Sequence, residues 1–118
     1  MEKLTHQEEE AMQAVWKTGE GFVKQFLDNM ASPGTPYTTL ASTVKNLERK
    51  GYLSSRMIGK TYLYKPLIGE EEYKKKFMSG FVKDYFQDSY KALVIFFVEE
   101  KKLSAKELKE IIDLIEKK

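Results

Sequence analysis

One stretch of the sequence, from Thr35 to Pro66, joins the pattern of an amphipathic helix to the pattern of a tight hairpin. Thr35 suits the cap of a helix, Pro36 suits its first position, and Gly51 suits the left-handed residue that ends it. Strand-forming residues then flank Gly59-Lys60, a pair suited to a two-residue turn. A helix followed directly by a short hairpin is compatible with few small folds.

The helix predicted between Pro36 and Gly51 has two different faces. Leu40, Val44 and Leu47 recur at helical spacing and should pack against a core. The other face holds small hydroxyls and cations, whereas an ordinary solvated face would mix Glu with Lys. Small hydroxyls let a helix approach base edges, and a Thr methyl can touch the thymine methyl. We therefore predict DNA contacts from Thr38, Thr39, Ser42, Lys45, Asn46 and Arg49.

Positive charge is concentrated in the same region. Residues 31–66 hold six Lys and Arg against Glu48 alone, whereas residues 1–30 hold three Lys against six Asp and Glu. Residues 67–118 hold eleven of each sign. A local cationic excess is the footprint expected for a polyanionic partner. Arg56 and Lys60 lie in the hairpin, and we predict that they reach backbone phosphates.

The remaining sequence predicts further helices. Thr5 and Glu8 have the spacing of a capping box, as do Ser104 and Glu107. Three short helices after Pro66 carry more apolar side chains than they can bury on one another, which predicts pairing with a second copy. The alternative is a monomer in which they pack back on the N-terminal region. The side chains assigned to dimerisation are Tyr73, Phe77, Phe81, Tyr90, Leu93, Val94, Phe97, Leu108, Ile111, Ile112 and Ile115.

Composition argues against catalysis and against membrane insertion. The single histidine, His6, lies in a predicted first turn, and cysteine is absent. A nucleophile with a base, a phosphate loop and clustered metal ligands are not recognisable, so we predict no enzyme, no cofactor and no metal. No apolar run reaches the roughly 18 residues that span a bilayer, and the first residues lack a secretory core. We expect a cytoplasmic protein.

Together these patterns predict a mainly α fold with a small β-hairpin wing. Residues 1–68 would form a winged helix-turn-helix DNA-binding domain, and residues 69–118 a helical dimerisation domain. The order of features resembles the penicillinase-repressor family (BlaI/MecI/CopY) of bacterial transcription regulators. The resemblance covers nearly the whole chain and is carried by LTHQEEEAMQAVW at 4–16, YTTLASTVKNLERKGYL at 37–53, GKTYLYKPL at 59–67 and ALVIFFVEEKKLSAKELKEI at 92–111.

The resemblance implies a homodimeric repressor on a palindromic operator, with Thr38 and Thr39 similar to the family's base-reading pair. Position 46, often Arg in such proteins, is Asn46 here. In the antibiotic-resistance members a membrane-bound sensor metalloprotease system cleaves an Asn-Phe bond, and the similar position here is Phe96-Phe97. The copper-responsive members use a C-terminal cysteine cluster, which this chain lacks. The alternative function is a dimeric adaptor whose winged helix packs on another protein.

Overall fold

The computed structural model describes residues 2–117, which form helices and one antiparallel hairpin. This architecture confirms the predicted fold class. The chain divides into two compact units, Met1–Tyr73 and Lys74–Lys118. The predicted domain boundary at residues 68 and 69 stays a prediction. In chain order the elements are α1 (His6–Thr18), α2 (Val23–Asp28), α3 (Tyr37–Arg49), β1 (Leu53–Ile58), β2 (Thr61–Pro66), α4 (Glu70–Phe86), α5 (Tyr90–Glu99) and α6 (Ala105–Glu116).

The first helix begins at the predicted capping box. The Glu8 amide donates to Thr5 Oγ1 over 3.1 Å, and the Thr5 amide donates to Glu8 Oε1 over 2.8 Å. The same reciprocal arrangement joins Ser104 and Glu107 at the start of α6. Both predicted capping boxes are therefore confirmed, and each satisfies amides that a helix start leaves without intrahelical partners.

The start of α3 differs from the prediction, whereas its end agrees. Pro36 occupies the cap with an extended ψ of 143°, so the helix begins one residue later than predicted, at Tyr37. The Thr35 hydroxyl donates instead to the Ser32 carbonyl, so the prediction of a Thr35 cap is wrong. An extended Pro36 moves Thr35 outside the first turn. Gly51 has the predicted left-handed backbone, with φ of 88°.

The core of the first unit lies between α1, α2, α3 and the base of the hairpin. Leu40, Val44 and Leu47 are buried, which confirms the predicted apolar face of α3. The largest fully buried side chains around them are Phe26, Met12, Leu53 and Val15. Burial of this face fixes which side of α3 is left outward.

The hairpin is fastened to the rest of the first unit at its base. Ile58 pairs with Thr61 across the turn, where Gly59 has φ of 62°. At the other end, the amides and carbonyls of Gly21 and Tyr64 exchange two hydrogen bonds of 2.9 Å. A Cβ at Gly21 would lie 2.9 Å from Gln25 Oε1 and 3.0 Å from Thr18 Cγ2, so the side chains at the α1–α2 junction leave little room for a larger residue.

The start of α4 also belongs to the first unit. Tyr73 lies with its ring centroid 5.4 Å from that of Trp16 and donates its hydroxyl to a Glu9 carboxylate over 2.7 Å. Trp16 Nε1 donates to the Ile68 carbonyl over 3.0 Å. Burial is the main cause that raises the pKa of Tyr73, and the hydrogen bond to Glu9 raises it further. These contacts hold residues 68–73 against the core.

The second unit leaves most of its apolar side chains exposed. Val82 is fully buried, and aromatic contacts join Phe81 to Phe86 and Phe86 to Phe96. None of the described residues of α5 or α6 is buried. Within the described residues, the helices lack the combination of length and apolar character that a bilayer span requires.

Candidate nucleic-acid interface

The polar face of α3 is not covered by the first unit. Thr38, Ser42, Lys45 and Arg49 are exposed, and Thr39 is half-buried. This face is outward because Leu40, Val44 and Leu47 are drawn into the core on the other side of the same helix. The hydroxyl and cationic side chains are therefore available to a partner.

A polar groove runs between the start of α1 and the outer face of α3. It is lined by Thr5, Gln7, Glu8, Ser42, Thr43, Lys45, Asn46 and Arg49. The α3 side of the groove includes four of the residues predicted to bind DNA. Sequence reasoning missed the α1 side, because those residues are more than 30 positions away along the chain. The capping-box spacing between Thr5 and Glu8 predicted only that Glu8 stabilises the start of α1.

Asn46 is engaged within the chain on both sides of its amide. Its Nδ2 donates to Glu8 Oε2, and its Oδ1 accepts from Nε and Nη2 of Arg49 over 3.0 and 2.8 Å. Thus the structure gives Asn46 intramolecular partners, where the sequence predicted a DNA contact. A contact between Asn46 and DNA stays a prediction.

Glu8 forms a buried ion pair with Lys50 beneath this amide. Lys50 Nζ lies 2.6 Å from Glu8 Oε1, and the two side chains are 9% and 3% exposed. Burial alone would raise the pKa of Glu8, but hydrogen bonds from Lys50, the Thr5 amide and Asn46, with the Lys50 charge, lower it to about 2. Lys50 therefore contributes little to the outward positive field, although it counts in the cationic excess of the sequence.

The hairpin places its cations outward. Arg56 and Lys60 are exposed, and Arg56 Nη2 lies 3.9 Å from a Glu20 carboxylate oxygen. Both partners are largely in water, where such pairs contribute little and break readily. Arg56 therefore remains available to a phosphate. On the other face of the hairpin, Met57 and Tyr62 pair across the strands and are about half exposed.

Metal binding receives no support from the described residues, which contain no group of three or more His, Cys, Asp or Glu able to hold an ion. His6 lies in the first turn of α1, 3.4 Å from Glu10. His6 and Glu10 are one helical turn apart, so their side chains lie next to each other on the same face of α1.

The residues assigned to dimerisation fall into three groups. Phe77, Tyr90, Val94, Phe97, Ile111, Ile112 and Ile115 are exposed, and Phe81, Leu93 and Leu108 are half-buried. Tyr73 stands apart, because it packs on the core of the first unit of its own chain. The sequence could not separate Tyr73 from the others, since it shares their four-residue spacing along α4. Phe96 and Phe97, the predicted cleavage position, lie inside α5.

Comparison with known proteins gives a consistent result. Residues 4–117 match the family model described as penicillinase repressor. The chain is 24% identical over 118 residues to the methicillin resistance regulatory protein MecI of Staphylococcus aureus (strain N315), covering 98% of this chain and 95% of that protein. It is 23% identical over 115 residues to the penicillinase repressor of Bacillus licheniformis, covering 97% of this chain and 90% of that protein. Because the family model spans nearly the whole chain, this protein belongs to the penicillinase repressor family.

Proposed function

We propose that this chain is a transcriptional repressor that acts in the cytoplasm as a homodimer on a palindromic operator in double-stranded DNA. The observation that carries the proposal is the uncovered face of α3, where hydroxyl and cationic side chains are exposed. Family membership supports the direction of regulation, since the matching family is one of repressors. Repression is steric: a dimer bound at a promoter excludes polymerase.

The side chains of the interface have two roles, which follow from their chemistry. Thr38, Thr39 and Ser42 are short enough to let α3 approach base edges, so they read sequence. Four longer cationic side chains reach phosphates, which set register and affinity but carry no sequence information. Those cations are Lys45, Arg49, Arg56 and Lys60.

A gel shift with the DNA upstream of this chain's own gene, in excess competitor DNA, tests the interface. Lys45→Ala should weaken binding to every sequence alike, because it removes a phosphate contact. Thr39→Ala should lower the difference in binding free energy between operator and competitor DNA by about 1–3 kcal/mol, because it removes a base contact. Lys106→Ala, at an exposed position of α6, is the matched control. Unchanged binding by both interface variants would show that α3 is not the reading surface.

Exposed apolar side chains of the second unit support the homodimer. Val94, Ile95, Phe96, Phe97 and Val98 follow one another in α5, and each is between 39% and 46% exposed. A helix that is apolar all round is ordinarily buried. A second copy supplies identical faces, and a two-fold interface is self-complementary.

Sedimentation of Ile112→Glu tests this assembly. The variant should be monomeric and should lose affinity for DNA with two half-sites, because a charge at an apolar interface is left unpaired. Lys109→Glu, at an exposed polar position of the same helix, should leave the dimer intact. A wild-type chain that sediments as a monomer at micromolar concentration would rule out the proposed assembly.

The proposal includes relief of repression by proteolysis at the Phe96-Phe97 bond, by a membrane-bound sensor metalloprotease system. Cutting there would divide α5 and remove α6 from the chain, which would destroy the proposed dimer. The bond lies inside a helix of ten residues, so a protease must first unwind α5. Mass spectrometry of the repressor from induced cells should show a fragment ending at Phe96. An intact chain in derepressed cells would exclude this route.

The alternative is a dimeric adaptor that binds a protein through its winged helix. The observation in its favour is the exposed apolar pair Met57 and Tyr62 on the hairpin. The same gel shift separates the two functions, because an adaptor would not select its upstream DNA over competitor.

A further inference from the structure

The Asn46 amide on α3 links the buried carboxylate of Glu8 on α1 to the exposed guanidinium of Arg49. We propose that Glu8 and Asn46 are positioning residues that hold the Arg49 guanidinium in one orientation on the DNA-facing side of α3, and that Asn46 itself does not touch DNA. This inference rests on the proposed function, which supplies the phosphate that Arg49 meets.

The chemistry of the three groups fixes the direction of the chain of hydrogen bonds. A carboxylate can only accept and a guanidinium can only donate. The Asn46 amide between them must therefore turn Nδ2 towards Glu8 and Oδ1 towards Arg49, as it does. The reversed amide would break every hydrogen bond in the series. The Asn46 amide can do both, because its nitrogen donates and its oxygen accepts.

The anchor of this series is held at several points. Glu8 Oε1 accepts from the Thr5 amide over 2.8 Å and from Lys50 over 2.6 Å, while Oε2 accepts from Asn46. Lys50 Nζ also donates to the Lys3 carbonyl over 3.0 Å. A carboxylate with these partners and 3% exposure has little freedom to move. Because Lys50 neutralises it, the carboxylate does not repel a DNA phosphate nearby.

Arg49 is therefore held in one orientation and keeps unused hydrogen-bond donors. Nε and Nη2 each give one hydrogen to Asn46, so two of the five N–H donors are used and three remain. Arg49 is exposed and lines the groove beside Lys45. A long side chain loses rotamer freedom when it binds, and one that is already held loses less. Asn46 therefore improves phosphate binding through Arg49 without making a contact of its own.

The test is a double-mutant cycle on a fluorescent duplex of mixed sequence, with affinity followed by anisotropy at several salt concentrations. A mixed sequence suffices because phosphate contacts are independent of sequence. Arg49→Ala should weaken binding and lower the salt slope by about 0.9 for each arginine lost at the DNA. Asn46→Ala should weaken binding by about threefold to tenfold for each Arg49 side chain that it releases, which is the ordering cost of one long side chain. Its salt slope should stay that of the wild type, because the Arg49 charge is still present.

The decisive comparison is Asn46→Ala in the Arg49→Ala background, where it should have no further effect. Additive losses would overturn the inference, since they would mean that Asn46 contacts DNA directly. Wild-type affinity of Asn46→Ala beside a weakened Arg49→Ala would overturn it as well. If Lys45→Ala and Arg49→Ala both bind as the wild type does, the proposed function itself fails, which is a distinct result.

Two further variants complete the design. Asn29→Ala removes the same amide from an exposed position at the end of α2, where it donates to Thr18, and should bind as the wild type does. Glu8→Gln releases Lys50 as well as Asn46, so it is combined with Asn46→Ala, which should have no further effect on affinity once the carboxylate anchor is gone. Melting temperatures measured beside each titration separate loss of fold from loss of orientation.

Discussion

Replacing Glu8 by Gln should remove a pH dependence of stability that can be calculated from its surroundings. The pKa of this carboxyl falls from 4.5 to about 2 on folding. Each unit corresponds to about 1.4 kcal/mol, so the difference of about 2.5 units gives roughly 3 kcal/mol. Because the folded-state pKa is the lower one, this contribution is fully present above pH 4.5 and is lost as the pH falls through 2.

The assay is urea unfolding of both proteins at one concentration, at pH 6 and at pH 3.5. Other carboxyls titrate in both proteins, so the difference in unfolding free energy between wild type and variant isolates Glu8. That difference should narrow by about 1 kcal/mol at pH 3.5, where the Glu8 carboxyl of the unfolded chain is already mostly protonated. Glu107→Gln makes the same change in the exposed capping box of α6 and is the control for loss of a capping carboxylate that is not buried. A difference that is the same at both pH values would refute the reasoning about the buried ion pair.

Three further substitutions should lower stability for reasons visible in the first unit. Gly51→Ala should cost about 1–2 kcal/mol in urea unfolding, because a Cβ is strained at φ of 88°. Gly69→Ala, where the backbone is not left-handed, should cost much less. Trp16→Phe should cost about 1–3 kcal/mol in thermal unfolding, since it leaves the Ile68 carbonyl without the indole donor at 3.0 Å, and an unchanged melting temperature would contradict this. Gly21→Ala should cost about 1–3 kcal/mol, because its Cβ would lie 2.9 Å from Gln25 Oε1 and 3.0 Å from Thr18 Cγ2; a neutral result in urea would mean that both side chains move aside freely.

Local patterns predicted the elements of this fold well, because each depends on neighbours in sequence. The two capping boxes and the buried stripe of α3 follow from spacings of three to seven residues, and the left-handed backbone of Gly51 follows from its missing Cβ. The start of α3 was the exception, since either Thr35 or Pro36 could precede the first turn and the backbone of Pro36 decided between them.

The interface was predictable only in part. The exposure of the polar face of α3 was predictable, because that face lies opposite the buried Leu40, Val44 and Leu47. The partners of Asn46 did not, because Glu8 lies 38 positions away and nothing in the sequence marks their contact. For the same reason the charge count of residues 31–66 included Lys50 as free, whereas folding pairs it with Glu8.

The attachment of the hairpin has a mechanical consequence. The two hydrogen bonds between Gly21 and Tyr64, with the bond from the Leu67 amide to the Tyr52 carbonyl, clamp its base, while Ile58 and Thr61 lie beyond every clamp. Such a hairpin acts as a cantilever, in which the tip bends at lower cost than the base. In the proposed complex with DNA, Lys60 at that tip would reach phosphates at varying distances without displacing the helices at the base.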